Sequence, residues 1–166
     1  MNTNEILHET KNDLPKAVRK RAAELLNQNL ADVLDLGLQT KQAHWNVKGP
    51  NFIALHELFD KVAEEVEEYT DDIAERAVAL GAVACGTIQA ISKNSRLAPY
   101  PLDLVSGKDH VAALSTALAK FAASARAAID TAGKFGDLDT ADLFTGISRE
   151  VDKLLWMVEA HGQATD

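Results

Sequence analysis

The chain has 166 residues, of which 46% are hydrophobic and 5% aromatic, and it carries a formal net charge of −8. That length suits one domain with a substantial core, and an Ala-, Leu- and Val-rich, aromatic-poor composition fits a helical bundle better than a β fold. The acidic balance argues against a nucleic-acid-binding body, the single Cys85 excludes an internal disulfide, and no apolar run reaches the ~18 residues of a membrane span.

Met1-Asn-Thr-Asn-Glu-Ile-Leu-His8 lacks a basic n-region and an apolar h-region, so it does not read as a signal peptide. Residues 1–12 are expected to form a flexible tail, 13–162 a four-helix bundle, and 163–166 a short C-terminal tail. The first helix opens at Asn12-Asp13-Leu-Pro15, where a capping residue precedes a proline tolerated in the first turn. It runs to about Asn46, with Val18, Ala22, Leu25, Leu26, Leu30, Val33 and Leu34 inward, and Lys48-Gly49-Pro50 ends it. The second helix spans 51–80 with Gly81 as its stop, the third 108–132, and the fourth 140–161 with Gly162 just past its end. Between the second and third lie roughly 27 residues that contain Pro99-Tyr-Pro101, with a short helix expected near 87–92. That connection is too long for a simple up-and-down bundle.

Five residues of the first two helices carry the chemistry: His44, His56, Asp60, Asp71 and Glu75. Imidazole nitrogen with hard carboxylate oxygen is a donor set that suits iron in its +2 and +3 states. His56/Asp60 and Asp71/Glu75 are both i, i+4 pairs, so each pair shares a helix face. On one continuous helix, however, His56 and Asp71 lie ~22 Å apart, and a metal with bonds of ~2 Å cannot touch both. Positions 56, 60, 71 and 75 fall within an arc of ~100°, centred roughly 150° from the apolar stripe Phe52, Leu55, Phe59, Val62, Val66, Tyr69, Ile73, Ala77 and Leu80. The stripe must face the core, so the ligand pairs face out. A second copy packed antiparallel across a two-fold axis near Glu65 and Val66 would complete the site twice, since an isologous contact pairs residue i with j and j with i. The spacing therefore predicts a metal site shared between subunits.

The stretch from Lys41-Gln-Ala-His44-Trp45-Asn46 through Phe52 and His56-Glu57 to Asp60, followed by Asp71-Asp-Ile-Ala-Glu75-Arg76, closely resembles the Dps family of mini-ferritins, the DNA-binding proteins from starved cells. The likeness continues in Tyr100-Pro-Leu-Asp103, Asp139-Thr-Ala-Asp142 and Asp152-Lys-Leu-Leu-Trp156. It implies an all-α, ferritin-like four-helix subunit with a long crossover, a hollow homododecamer built from two-fold dimers, and inter-subunit ferroxidase centres that use iron and, preferably, hydrogen peroxide. All five ligand positions of the family motif are matched. Asp71 and Glu75 with His44 of the second copy are expected to hold the tighter iron, and His56 with Asp60 the weaker. Glu57 matches a position resembling a nucleation residue, with a solvated charge as the alternative. Trp45 is read either as a sink for stray oxidising equivalents or as a packing aromatic.

Asp137, Asp139 and Asp142 cluster where the fourth helix starts, and carboxylates suit the positive end of a helix dipole. The resemblance also makes them candidates for a three-fold pore, Asp142 above all, where a ring of carboxylates would focus cations inward. Arg76 is expected to make an inter-subunit ion pair. His8, His110 and His161 read as ordinary solvated or hydrogen-bonded side chains. Glu5-Ile-Leu-His8 mimics the Glu-x-x-His of ferritin di-iron sites, but it stands alone in the tail and is set aside.

Relatives attract DNA through Lys-rich N-terminal tails. Here Lys11, Lys16, Arg19, Lys20 and Arg21 stand against Glu5, Glu9 and Asp13, a small surplus. Twelve such tails gain avidity, yet a few phosphate contacts are strongly salt-dependent. The expectation is a cytoplasmic iron-storing ferroxidase without a membrane partner and with DNA as a weak, salt-dependent one. The alternative is a nucleoid-associated, DNA-compacting protein whose iron chemistry is secondary.

Overall fold

Apolar residues recur every three or four positions in each long stretch, and each stretch folds as a helix that buries that stripe. In the computed structural model, which describes residues 6–163, the helices are α1 (Lys16–Asn46), α2 (Phe52–Ala79), α3 (Ile88–Asn94), α4 (Gly107–Phe135) and α5 (Leu138–Gln163). α1 lies along α2 and α4 along α5, while α1–α4 and α2–α5 contacts join the two hairpins. Phe59, Phe121 and Phe144, from α2, α4 and α5, sit fully buried at the centre among Leu26, Leu30, Leu114 and Leu118. This is a ferritin-like four-helix bundle with one extra short helix in its crossover. No helix among the described residues is long and apolar enough to cross a membrane.

Helix ends differ from the sequence expectation for local reasons. α1 begins after Pro15, which stands at the cap with extended backbone while its carbonyl accepts from Val18 and Arg19 N–H at 2.8 and 3.0 Å. Asn12 turns its side-chain oxygen to Leu14 N–H at 3.0 Å instead of capping the helix. α4 continues through Gly133 because Phe135 still packs on the core; Gly136, with φ 88°, ends the helix in the left-handed region. α5 starts at Leu138, and Asp137 Oδ1 accepts from Thr140 N–H at 3.1 Å.

Part of the segment expected to form the N-terminal tail lies against the body. Leu7 pairs antiparallel with Ala82 and packs on the core, and His8 N–H donates to Gly81 O at 2.7 Å. Gly81 has φ +87°, and His8 O lies 2.6 Å from where a Cβ would stand, so only glycine permits the approach. Residues 1–5 and 164–166, including the Glu5 of the set-aside motif, lie outside the described residues.

Polar side chains of α1 hold the crossover in place. Asn27 accepts from Cys85 N–H at 2.8 Å and donates to Val83 O at 3.0 Å. Asp32, 1% exposed, takes Arg96 N–H at 2.7 Å and its guanidinium, and Gln39 reaches Ala98 O at 3.1 Å. At the far end Lys48 N–H donates to Val105 O at 3.1 Å and Gly107 N–H to Lys48 O at 3.2 Å. The α1–α2 turn is thereby tied to the start of α4, close to where His44 and His56 face each other.

Candidate metal centre

His44 stands in the last turn of α1 and His56 in the second turn of α2, and the short turn between them brings the rings together. The rings stack with centroids 3.7 Å apart and 21° between planes. His44 Nδ1 lies 2.8 Å from His56 O, and His56 Nδ1 lies 2.9 Å from His44 O. A carbonyl only accepts, so each Nδ1 carries a hydrogen and donates it. In the neutral imidazole the lone pair then belongs to Nε2 on both rings, the arrangement that backbone carbonyls impose on metal-binding histidines. Asp60, one helical turn after His56, places Oδ1 3.9 Å from His44 Nε2. Lys41 Nζ sits on that same Oδ1 at 2.6 Å. This hydrogen bond, with smaller help from the two imidazoles, holds the Asp60 carboxyl below the usual carboxylate range.

The other two candidates are apart. Asp71 and Glu75 are exposed further along α2, off its buried stripe, and the helical rise keeps Asp71 ~22 Å from His56. Among the described residues no three His, Cys, Asp or Glu side chains come together in one chain. Within the subunit the His44 and His56 rings stack with Asp60 beside His44, and Asp71 and Glu75 stand apart from them on the exposed side of α2. Phe52, expected in the buried stripe, is 39% exposed at the start of α2 and tilts against His56 at 5.1 Å. Glu57 is exposed. Trp45 is 66% exposed, so within the subunit it is not a packing aromatic, and Lys41 Nζ lies 6.0 Å from its ring centroid.

The acidic cluster divides. Asp137 is 1% exposed; it caps α5, accepts from Thr140 Oγ1 at 2.6 Å and from Arg76 Nη2 at 2.7 Å. Within the subunit Asp137 is thus a buried acid that closes α2 onto α5, and Arg76 has an ion pair inside its own chain. Asp139, 85% exposed, is 3.7 Å from Arg76, and Asp142 is exposed one turn into α5. Lys41 had no role in the sequence reading, although its i, i+3 spacing to His44 puts both on one face.

A helix order of two long hairpins joined by a long crossover, with imidazoles and carboxylates outside the core, defines a ferritin-like protein, and a ferritin-like domain family matches residues 23–166. The DNA protection during starvation protein of Agrobacterium fabrum is 48% identical over 156 residues, covering 94% of this chain and 96% of the relative. Among solved structures, DpsA14 from Streptomyces coelicolor superposes with a TM-score of 0.90 at 34% identity, covering 96% of this chain and 95% of that one. Dps from Microbacterium arborescens, in a high iron form, superposes with a TM-score of 0.84 at 32% identity, covering 95% of this chain and 99% of that one. The chain belongs to the Dps family of ferritin-like proteins.

Proposed function

We propose that this protein is a ferroxidase and iron-storing mini-ferritin that oxidises Fe(II), preferably with hydrogen peroxide, at sites shared by two subunits. The observation that carries the reading is the reciprocal Nδ1–H···O=C pair between His44 and His56, which leaves a lone pair on Nε2 of each ring, that of His44 3.9 Å from Asp60 Oδ1. Such a cluster is half of an iron site, and Asp71 and Glu75 of a second copy supply the anionic half. A groove of about 690 Å³ between α1, α2 and α3 supports the pairing. It is lined by Leu34, Leu38, Ile88 and Ile91 and has Asp60 on its wall. Leu38 is 57% and Ile88 75% exposed, an apolar surface of the kind that marks a contact between copies. Assembly of two-fold dimers into a twelve-subunit shell rests on family membership.

The chemistry follows from a pair of ferrous ions held together. Each gives up one electron, the peroxide O–O bond breaks, and two protons complete two waters, so no hydroxyl radical is released. Ferric product then moves inward and hydrolyses to mineral, with Glu57 as the candidate nucleation residue and Trp45 as the candidate sink for stray oxidising equivalents. Asp139 and Asp142 remain the candidate pore carboxylates. Protection of DNA, the function in the names of the relatives, follows from removing iron and peroxide together. Direct compaction of DNA is the weaker reading, because Lys11, Lys16, Lys20 and Arg21 are exposed but few, the segment from Leu7 onward is docked, and the chain carries −8. A gel shift across a salt series measures it.

The test is an anaerobic Fe(II) titration of the assembled apoprotein followed by peroxide. Two irons oxidised per peroxide with little radical, and a loss of about 100-fold or more in rate for Asp71→Ala and His44→Ala with the assembly retained, are expected. A wild-type rate equal to that of protein-free iron would sink the enzymatic reading.

A further inference from the structure

Between the crossover and α4 lies a cavity of about 370 Å³ that none of the candidate metal ligands lines. Its size falls in the range of small-molecule sites. The crossover contributes Pro99, Tyr100 and Pro101 to its walls, and α4 contributes the small side chains Ala113 and Ala117. No carboxylate lines it, although the chain carries −8. Two of its polar side chains lack partners. Gln39 is 6% exposed, and its Nε2 donates to Asp35 Oδ1 and to Ala98 O, both at 3.1 Å. Those two oxygens only accept, so the amide nitrogen is fixed on their side. Gln39 Oε1 accepts nothing among the described residues, yet it is not sealed inside protein. The open space that Gln39 borders is this cavity.

The second is Lys120, which has no ion-pair partner among the described residues. Arg96 also lines the cavity, but the buried Asp32 carboxylate balances its charge. Lys120 therefore supplies the net charge of the cavity, one positive. α1 and α4 run antiparallel, with Gly107 N–H on Lys48 O at one end and Ser124 Oγ on Asn29 Oδ1 toward the other. Gln39 is thus level with the Ala113–Ala117 turn, and Lys120 stands ~5–10 Å further along α4. An acceptor lies at one end, a cation at the other, and apolar walls between. We propose that this cavity binds a small phenolic carboxylate. The carboxylate sits on Lys120, the ring lies against Tyr100 and Pro101, and the phenol donates to Gln39 Oε1. One net positive charge matches a monoanion. Tyrosine and proline offer flat faces to a ring, and alanines at 113 and 117 leave it room. A ligand with a donor at its far end satisfies the oxygen that the protein leaves unpaired.

The probe is 4-hydroxybenzoate, titrated into the metal-free assembled protein and followed by calorimetry and ligand-observed NMR. One saturable site per chain is expected, with a Kd of about 1 mM or tighter. Benzoate, which has no donor for Gln39, should bind about tenfold more weakly, and so should 4-hydroxybenzyl alcohol, which has no charge for Lys120. Lys120→Met should remove the difference between the acid and the alcohol. Ala113→Trp fills the cavity and should abolish saturable binding; if that variant does not assemble, Lys120→Met, on the surface, still carries the test. Unchanged binding in the His44→Ala, Asp71→Ala double variant places the ligand outside the metal centre. Absence of saturation in the wild type, equal binding by Ala113→Trp, or loss of binding in the double variant overturns the site. Benzoate that binds as tightly as 4-hydroxybenzoate overturns the phenolic assignment.

Discussion

His110 is 1% exposed in the first turn of α4, with Nδ1 2.7 Å from Tyr100 Oη and with no hydrogen-bond partner for Nε2 among the described residues. Burial pushes the Tyr100 phenol up to about 12, so it remains a hydroxyl and donates to Nδ1, which leaves the imidazole hydrogen on Nε2. The same burial pulls the His110 pKa below its ordinary 6.5; the Leu104 and Asn46 backbone and the Asp109 carboxylate oppose the shift only in part. The sign of the consequence is fixed by linkage. Below about pH 6.5 the unfolded chain takes the proton before the folded one does, so the contribution of neutral His110 is full above 6.5 and is lost as pH falls through 6.5 toward the lower folded value. The unfolding midpoint in urea should therefore drop between pH 7 and 5 by more in the wild type than in His110→Gln. The variant should lie lower at pH 7, by about 1–3 kcal/mol, because it disturbs a buried hydrogen bond. Equal slopes for the two proteins would show that His110 does not titrate across the transition.

Between elements, the contact most exposed to a single change is the one that closes α2 onto α5. Arg76, in the last turn of α2, donates to Asp137 at 2.7 Å and to Thr140 Oγ1 at 3.0 Å, and Asp137 also caps α5. Asp137→Ala removes the cap and the nearer carboxylate partner of a guanidinium whose side chain is 17% exposed; a loss of about 3 kcal/mol follows, or roughly 6–12 °C in melting temperature. Asp137→Asn keeps an oxygen for the cap and should lose less. The sequence reading missed this pairing because Arg76 stands beside Glu75 and its true partner lies on another helix; nothing in local spacing distinguishes a charge that turns across the bundle from one that turns to a neighbouring subunit. The same limit hid Asp32, Asn27 and Gln39, whose partners in the crossover are distant in sequence. What repeats locally was legible: the buried stripe Leu55, Phe59, Val62, Val66, Tyr69, Ile73 and Ala77 follows helical period, and only Phe52, at the first residue of α2, falls outside it. The placing of His56, Asp60, Asp71 and Glu75 off that stripe was legible for the same reason. The tautomers of His44 and His56 were not, since they depend on the turn that brings each ring under the other's carbonyl.

At the scale of the assembly, the separation of two half-sites on one helix makes a quantitative demand. If each centre takes His44, His56 and Asp60 from one copy and Asp71 and Glu75 from the other, two defective chains can repair each other. One chain carries His44→Ala with His56→Ala, the other Asp71→Ala with Glu75→Ala, and each alone builds only broken centres. In a mixed two-fold pair, one centre gathers all four substitutions and the other gathers none. Random pairing of equal amounts makes half the pairs mixed, so about a quarter of all centres are intact. Co-assembled chains should recover about one quarter of the wild-type rate of peroxide-driven iron oxidation, whereas the two proteins assembled separately and then combined should recover almost nothing. A centre contained within one chain cannot be repaired this way, because every chain in the mixture is broken. Co-assembly that yields no activity, with mixed pairs demonstrated by mass, would exclude the shared centre however well each half is formed.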